Sequence, residues 1–138
     1  MNQSERRRYL IQELLNEQKE YCNYSIPEDP QGQKDLLRGL LNVRAPKMLS
    51  REFLKIQDEY LKEETEKKGI TELAELTPVE QGIYLWQGDI TTLRCDAIVN
   101  AANSGMTGCY APNHKCIDNC IHTFAGAQLR YECAQMMK

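Results

Sequence analysis

The 138-residue sequence lacks any apolar run approaching the roughly 20 residues that a membrane-spanning helix requires. Its N-terminus lacks the apolar core of a secretory signal peptide, since residues 4–8, four of which are charged, are followed by alternating polar and apolar residues. Neither charge sign dominates, because the net charge is only −3, which gives no electrostatic case for nucleic-acid binding. No internal repeat is present. These absences predict a cytoplasmic protein that binds neither membrane nor nucleic acid.

Composition favours a folded globular chain with reduced cysteines. Hydrophobic residues make up 41% and charged residues 27% of the sequence, which is typical of globular proteins. An even cysteine count such as the six found here would suggest disulfides in a secreted protein. Without a secretion signal, and with four of the cysteines within residues 109–138, we expect free thiols, some of them binding metal.

The chain is predicted to divide near Thr77. Residues 1–77 have helical periodicity and are predicted to form an N-terminal helical extension. Residues 78–138 have the texture of an α/β domain, with short β-rich and apolar segments followed by helices. The expected fold class is therefore α/β.

Three helices are predicted in the extension. The first carries an apolar face over residues 8–21 and is predicted to begin at Ser4. Residues 26–30 are predicted to break the helical pattern, and residues 36–41 form a second, short stripe. The third helix is predicted to begin after Ser50 and to end at Gly69. These stripes predict core packing, and no chemistry is assigned to them.

The second part is predicted to contain two strands and two helices. Residues 83–86 are β-rich, and residues 97–102 form an apolar run without alternation, as in a strand buried on both faces. A turn at residues 88–92 separates them. Helices are predicted over residues 117–124 and 127–137, divided by Gly126.

The most informative segment carries two thiols and an imidazole at the spacing Cys-x4-His-x-Cys, namely Cys109, His114 and Cys116. Zinc accepts thiolate sulfur and imidazole nitrogen as ligands. Three protein ligands leave a fourth tetrahedral position open, as in reactive zinc sites. Cys120 and His122 follow on the next helix. Cys120 is either a buried thiol or a further ligand, and His122 is a packed helix histidine, a ligand or a partner of Asp118.

Three polar residues precede this loop. Asp89 follows a strand, where it either bonds its own backbone in a turn or accepts hydrogen bonds from an amino group such as that of a purine. Asn100 and Asn103 lie at the C-terminal end of the apolar run. They form either a polar turn or a pair of amides that bind sugar hydroxyls.

In this order, residues 88–91, 97–103 and 117–126 resemble the N-terminal half of a macrodomain. The inserted Cys/His loop is similar to that of the zinc-dependent branch of bacterial macrodomains. The resemblance implies a three-layer α/β/α fold with a mixed sheet, zinc as cofactor, and a hydrolase that reverses ADP-ribosylation by removing ADP-ribose from modified proteins. It also implies a sirtuin-like ADP-ribosyltransferase as functional partner and a lipoyl-carrier protein as a possible substrate.

The resemblance assigns roles to individual residues. Asp89 and Ile90 would contact adenine, Asn100 and Asn103 would line the distal ribose, and Asp118 would act near the scissile bond as the catalytic residue. Many macrodomains have a glycine-rich run before that aspartate. Here the Cys/His loop takes its place, which favours metal assistance.

Two other functions fit the same residues: an ADP-ribose-binding module without catalysis, and a structural zinc module for protein contacts. The later glycine loop that binds the diphosphate in macrodomains has no counterpart in the sequence. We therefore expect the chain to be the N-terminal part of a longer macrodomain protein and, in isolation, to hydrolyse poorly.

Overall fold

The computed structural model describes all 138 residues, as five α-helices and four short strands. The helices are α1 Gln3–Asn16, α2 Pro30–Val43, α3 Arg51–Lys68, α4 Ile117–Ala125 and α5 Ala127–Met136. The strands are β1 Thr71–Glu72, β2 Pro78–Glu80, β3 Ile83–Tyr84 and β4 Leu93–Arg94. Three 3₁₀ turns cover Lys19–Tyr21, Leu73–Glu75 and Ile90–Thr92. The predicted α/β class is confirmed.

The strands form two separate two-stranded sheets. β1 pairs with β4 in parallel, with Thr71 opposite Leu93 and Glu72 opposite Arg94. β2 pairs with β3 in antiparallel orientation, with Pro78 opposite Tyr84. The β1–β4 pair links the end of the helical extension to the segment that leads towards the Cys/His loop.

The core lies between the three helices of the extension, as their apolar stripes predict. α1 packs against both α2 and α3, so each helix buries one face. The ten buried core residues are Leu10, Ile11, Leu14 and Leu15 on α1, Leu37 and Leu40 on α2, and Phe53, Ile56, Tyr60 and Leu61 on α3. Phe124 of α4 packs on the same cluster, which joins the second part of the chain to the extension.

The start of α1 differs from the prediction. Asn2, not Ser4, is the N-cap, because its side-chain oxygen accepts from the Glu5 amide at 2.9 Å. The Glu5 carboxylate accepts from the Asn2 amide in return, at 2.7 Å. This reciprocal capping box needs an acceptor three residues after the cap. Glu5 provides one for Asn2, whereas Arg7 provides none for Ser4.

The other helix ends lie near their predicted positions. The Ser50 hydroxyl accepts from the Phe53 amide at 3.1 Å, and α3 ends before Gly69, as predicted. α2 begins earlier than its stripe, at Pro30 within the predicted breaker. Proline suits the first turn of a helix because its missing N–H has no intrahelical partner there.

The predicted strand at residues 97–102 is wrong, since this segment pairs with no other strand. Ile98 is 41% exposed and Val99 is 90% exposed. Around β3, Ile83 and Leu85 are likewise exposed. An apolar strand is buried only when neighbouring strands and helices cover it. In this structure no strand pairs with residues 97–102, and the apolar side chains of both segments are exposed.

Helices α4 and α5 meet at Gly126, as predicted. Gly126 has φ +92°, a conformation that favours glycine. A β-carbon at this position would also lie 2.5 Å from the Gln57 Nε2 atom. The buried Gln57 side chain of α3 accepts from the Ala127 amide at 2.9 Å and so holds the start of α5.

No helix of the structure is both long and apolar enough to cross a membrane.

Candidate metal centre and adjoining acidic site

The N-terminus of α4 positions the last of the three predicted metal ligands. Cys116 is the N-cap of α4, and its Sγ atom accepts from the Asn119 amide at 3.4 Å. The sulfur therefore satisfies one of the backbone N–H groups that have no partner within the helix. A thiolate is the form that binds metal.

Cys109, His114 and Cys116 form the one group of at least three metal-type donors in the structure. Their donor atoms all lie within 4.8 Å of one another, and Cys109 Sγ is 3.7 Å from His114 Nδ1. Two sulfur ligands, each about 2.3 Å from one zinc ion, cannot be more than about 4.6 Å apart. The three donors therefore already lie close to the separation that a shared ion requires.

Neither alternative ligand belongs to this group. Cys120 Sγ lies 3.5 Å from Arg38 Nη2, and His122 Nε2 lies 3.6 Å from Asp118 Oδ1. Neither Cys120 nor His122 is therefore placed to act as a fourth ligand with Cys109, His114 and Cys116. The donor set has three members, and three protein ligands on a tetrahedral ion would leave a fourth position for water or substrate.

Asp118 lies on the first turn of α4, two residues after Cys116, and is only 5% exposed. Its Oδ1 atom accepts from Asn100 Nδ2 at 2.8 Å. A buried carboxylate needs such partners, because burial without them is costly. The structure thus brings together two of the predicted site residues, Asn100 and Asp118, at the first turn of the helix that Cys116 caps.

Two buried polar atoms near Asp118 have no hydrogen-bond partner, Asn100 Oδ1 and His122 Nδ1. Unpaired buried polar atoms are rare, and each calls for a water, an ion or a ligand. The position of His122 beside Asp118 agrees with its interpretation as an Asp118 partner.

Burial lowers the pKa of His122. The Asp118 charge opposes that change and the Arg130 charge adds to it, so the net result lies below the ordinary histidine value. A neutral imidazole carries one N–H donor and one free acceptor nitrogen. At pH 7 one ring nitrogen of His122 can therefore donate a hydrogen bond, and the other can accept one.

Asp89 caps the 3₁₀ turn Ile90–Thr92. Its Oδ1 atom accepts from the Thr91 amide at 2.9 Å and from the Thr91 hydroxyl at 2.6 Å, which matches the turn interpretation. Its Oδ2 atom is 3.4 Å from Lys68 Nζ. Burial raises the pKa of Asp89, but the Thr91 hydrogen bonds and the Lys68 charge outweigh it and hold the pKa below its usual value. The carboxylate is therefore ionised at neutral pH, and its contact with adenine stays a prediction.

The other two predicted residues, Ile90 and Asn103, make no hydrogen bond with Asp118. Ile90 is half-buried and lines an apolar cavity of about 270 Å³ together with Ile121 and Phe124. Asn103 is exposed, and its side-chain oxygen accepts from the Gly105 amide at 2.9 Å. No hydrogen bond joins Asn103 to Asn100 or Asp118, so its predicted role at the ribose stays a prediction.

Sequence analysis did not single out three polar residues that contact the Cys/His loop: Arg38 and Asn42 of α2, and Arg130 of α5. The only signal available for the first two was a polar residue within or beside the apolar stripe of α2. No spacing rule links that stripe to a loop some seventy residues later.

The described residues thus form an α/β chain with a group of two thiols and one imidazole and a buried aspartate. No protein-family model matches the chain. Comparison with curated proteins gives the relationship: the chain is a homologue of proteins named protein-ADP-ribose hydrolase, as the resemblance predicted.

The chain is 58% identical over 142 residues to a protein-ADP-ribose hydrolase of Treponema medium, covering 100% of this chain and 54% of that protein. It is 44% identical over 131 residues to a protein-ADP-ribose hydrolase of Staphylococcus aureus (strain MRSA252), covering 94% of this chain and 49% of that protein. A probable bifunctional ADP-ribose hydrolase/ADP-ribosyltransferase of Fusarium oxysporum f. sp. cubense is 44% identical to the chain over 114 residues. The matched region covers 75% of this chain and 19% of that protein. The chain thus spans about half the length of the two bacterial relatives.

Proposed function

We propose that this chain supplies the metal centre and part of the ADP-ribose site of a zinc-dependent protein-ADP-ribose hydrolase with a macrodomain fold. The observation that carries the proposal is the group of three metal donors within 4.8 Å of one another, with the buried Asp118 two residues after the third donor, in a homologue of hydrolases with this name. The complete site would require a protein of about the relatives' length.

The residues present fit zinc. Two thiols and one imidazole match its preference for sulfur and nitrogen ligands, and their separation agrees with a shared ion. When bound, zinc supplies Lewis-acid chemistry that acts either on water or on a substrate oxygen at the scissile centre. Cys109, His114 and Cys116 would hold it.

Asp118 is the proposed catalytic residue. Asn100 fixes one of its carboxylate oxygens by donating a hydrogen bond at 2.8 Å. The carboxylate then either accepts a proton from the attacking water or stabilises the positive charge that develops at the anomeric carbon of ribose. Both roles require its negative charge close to the bond that breaks.

The proposed recognition of ADP-ribose uses residues before, within and directly after the exposed segment, residues 97–102. Asp89 accepts from the amino group of adenine while Ile90 packs against the ring. Asn100 Oδ1, which has no partner in the chain, accepts from a hydroxyl of the distal ribose. Asn103 provides a second amide for the same sugar.

The substrate would be an ADP-ribosylated protein, with a lipoyl-carrier protein and a sirtuin-like transferase as the partners predicted from the resemblance. One supporting observation concerns the transferase alone. The Fusarium relative carries both hydrolase and ADP-ribosyltransferase in its name, which links the two activities in that protein.

The donor geometry favours a hydrolase over its two rivals. A non-catalytic reader has no need of an open metal position beside a buried carboxylate. A structural zinc module needs a closed shell of four ligands, whereas neither Cys120 nor His122 joins the group.

Metal content tests the proposed centre directly. We expect about one zinc per chain in freshly prepared protein and almost none in a Cys109→Ala, Cys116→Ala double variant, because one histidine alone is a weak site. Elemental analysis after desalting is the measurement. The control is the double variant Cys22→Ala, Cys95→Ala, which removes two exposed thiols and should leave zinc unchanged. Zinc retained in the first variant, or absent from the parent, contradicts the proposed centre.

Binding of ADP-ribose tests Asp89. We expect Asp89→Asn to weaken binding by roughly 1.5–3 kcal/mol, the contribution of a hydrogen bond to a charged group. Asparagine can still accept from the Thr91 amide, so the turn is kept while the charge is lost. Calorimetry on a version extended to the relatives' length measures the change, with the exposed Asp96→Asn as control. Equal affinities of variant and parent would remove Asp89 from the site.

A further inference from the structure

The loop that carries the three metal donors has no regular secondary structure of its own. Residues 107–116, called the metal loop below, lie between the exposed segment and α4. A loop of this kind would lose considerable conformational entropy on binding an ion. Its backbone is, however, hydrogen-bonded to side chains of α2 and α5.

Arg38 of α2 contacts the metal loop next to its histidine. Its Nη2 atom donates to the carbonyl oxygen of His114 at 3.0 Å and to Asn119 Oδ1 at 2.9 Å. Asn119 in turn donates from its side chain to the Ala111 carbonyl at 3.0 Å and from its backbone to Cys116 Sγ at 3.4 Å. One guanidinium therefore reaches two of the three ligands, one directly and one through Asn119.

Asn42, one turn further along α2, holds the middle of the metal loop. Its Oδ1 atom accepts from the Asn113 amide at 3.0 Å, and its Nδ2 atom donates to the Thr123 hydroxyl of α4 at 3.0 Å. Asn113 has φ +58°, a strained conformation for a residue other than glycine. The hydrogen bond from Asn42 stabilises this turn immediately before His114.

Arg130 of α5 holds the start of the metal loop. Nε donates to the Thr107 carbonyl at 2.7 Å, and Nη2 donates to the Cys109 carbonyl at 3.1 Å. Nη1 donates to the carbonyls of Asn42 and Arg44, at 2.7 and 2.8 Å, at the end of α2. The same buried guanidinium lies 4.0 Å from the centre of the Tyr110 ring. Its donors thus connect the first ligand to the helical extension.

We infer that α2 of the helical extension belongs to the metal centre, with Arg38, Asn42 and Arg130 acting as positioning residues that arrange Cys109, His114 and Cys116 for an ion. The inference rests on the proposed zinc site. Side chains that orient ligands from behind commonly change metal affinity 10- to 100-fold when they are removed. The extension thus has a function at the site, beyond supplying a hydrophobic core.

The test measures metal affinity and ligand geometry in the 138-residue chain at low micromolar concentration. We expect Arg38→Ala to bind zinc about 10- to 100-fold more weakly than the parent, by competition with a chromophoric chelator. With cobalt(II) as spectroscopic probe, the thiolate absorption bands should shift or broaden. Arg38→Lys should not restore the parent values, because one ammonium group cannot reproduce the planar fork of donors.

The matched control is Arg44→Ala. Arg44 is likewise an arginine of the α2 region, more buried than the half-buried Arg38, but its side chain donates to Glu17 and to the carbonyls of residues 45, 47 and 48. Its loss should lower the melting temperature while leaving metal affinity and the cobalt spectrum unchanged. If Arg38→Ala does not fold, the zinc affinity and cobalt spectrum of Arg38→Lys are compared with those of the parent instead, since lysine keeps a long, positively charged side chain at this half-buried position.

The outcomes separate the two proposals. A parent chain that binds no zinc overturns the proposed function and the inference with it. A parent that binds zinc, with Arg38 variants of equal affinity and spectrum, overturns the inference alone. Equal losses in the Arg38 and Arg44 variants also overturn it, since the effect would then follow general stability.

Discussion

Replacing Cys109 and Cys116 together by alanine is expected to lower kcat for release of ADP-ribose by about 10²–10³-fold, the equivalent of several kcal/mol of Lewis-acid stabilisation. The loss should fall mainly on kcat, because an interaction realised in the transition state leaves KM nearly unchanged. Asn103→Ala, by contrast, should change both constants, since a ribose contact is made in the ground state as well.

Steady-state release of ADP-ribose from a modified protein, by a version extended to the relatives' length, is the measurement. Treatment with a chelator should reproduce the loss in the parent, and added zinc should restore the rate. The double variant of Cys22 and Cys95 serves as control. Turnover that survives complete removal of the metal would rule out a zinc-assisted reaction.

The second large effect concerns residues 1–138 alone, which we expect to release ADP-ribose at or near the uncatalysed rate. Val99 is 90% exposed and Leu85 is 84% exposed, in segments that a complete sheet would cover. Exposed apolar segments with unpaired backbone groups favour association with other chains. The chain also spans about half the length of its bacterial relatives, so groups that bind the diphosphate are expected outside it.

Two comparisons with the extended version check this expectation: the rate of ADP-ribose release at equal concentration, and the apparent mass in solution as concentration rises. We expect the short chain to be slower and to associate, and the extended version to be faster and to associate less. A short chain that stays monomeric and matches the extended version's rate would show that the site is complete within residues 1–138.

The elements that the sequence predicted well are those whose determinants are local. The apolar stripe of α3 lies between Ser50 and Gly69, and both ends follow from short-range hydrogen bonds and backbone conformation. The close approach of Cys109, His114 and Cys116 was also predictable, because residue type and spacing over eight positions limit which side chains can meet. Local rules also failed once: Ser4 fits a cap, but Asn2 with Glu5 fits better.

The features that the sequence did not predict depend on contacts between distant residues. An apolar run such as residues 97–102 has the sequence pattern of a buried strand whether or not neighbouring strands and helices are present. Periodicity therefore cannot predict whether the segment is covered. Arg38 and Asn42 were assigned no chemistry, because only the folded chain places α2 against the metal loop. The hydrogen bond between Asn100 and Asp118 could not be predicted either, because these residues are eighteen positions apart in the sequence.

The cap of α4 has a thermodynamic consequence. The sulfur of Cys116 both begins this helix and faces the other two donors, so the same atom contributes to two equilibria, the fraying of α4 and the uptake of an ion. Linkage requires that each equilibrium shift the other by the same free energy. Loading the proposed centre with an ion would therefore suppress opening of the turn that carries Asp118. In the proposed hydrolase, the occupancy of the metal centre would thus set the fraction of time for which Asp118 is held on a folded first turn.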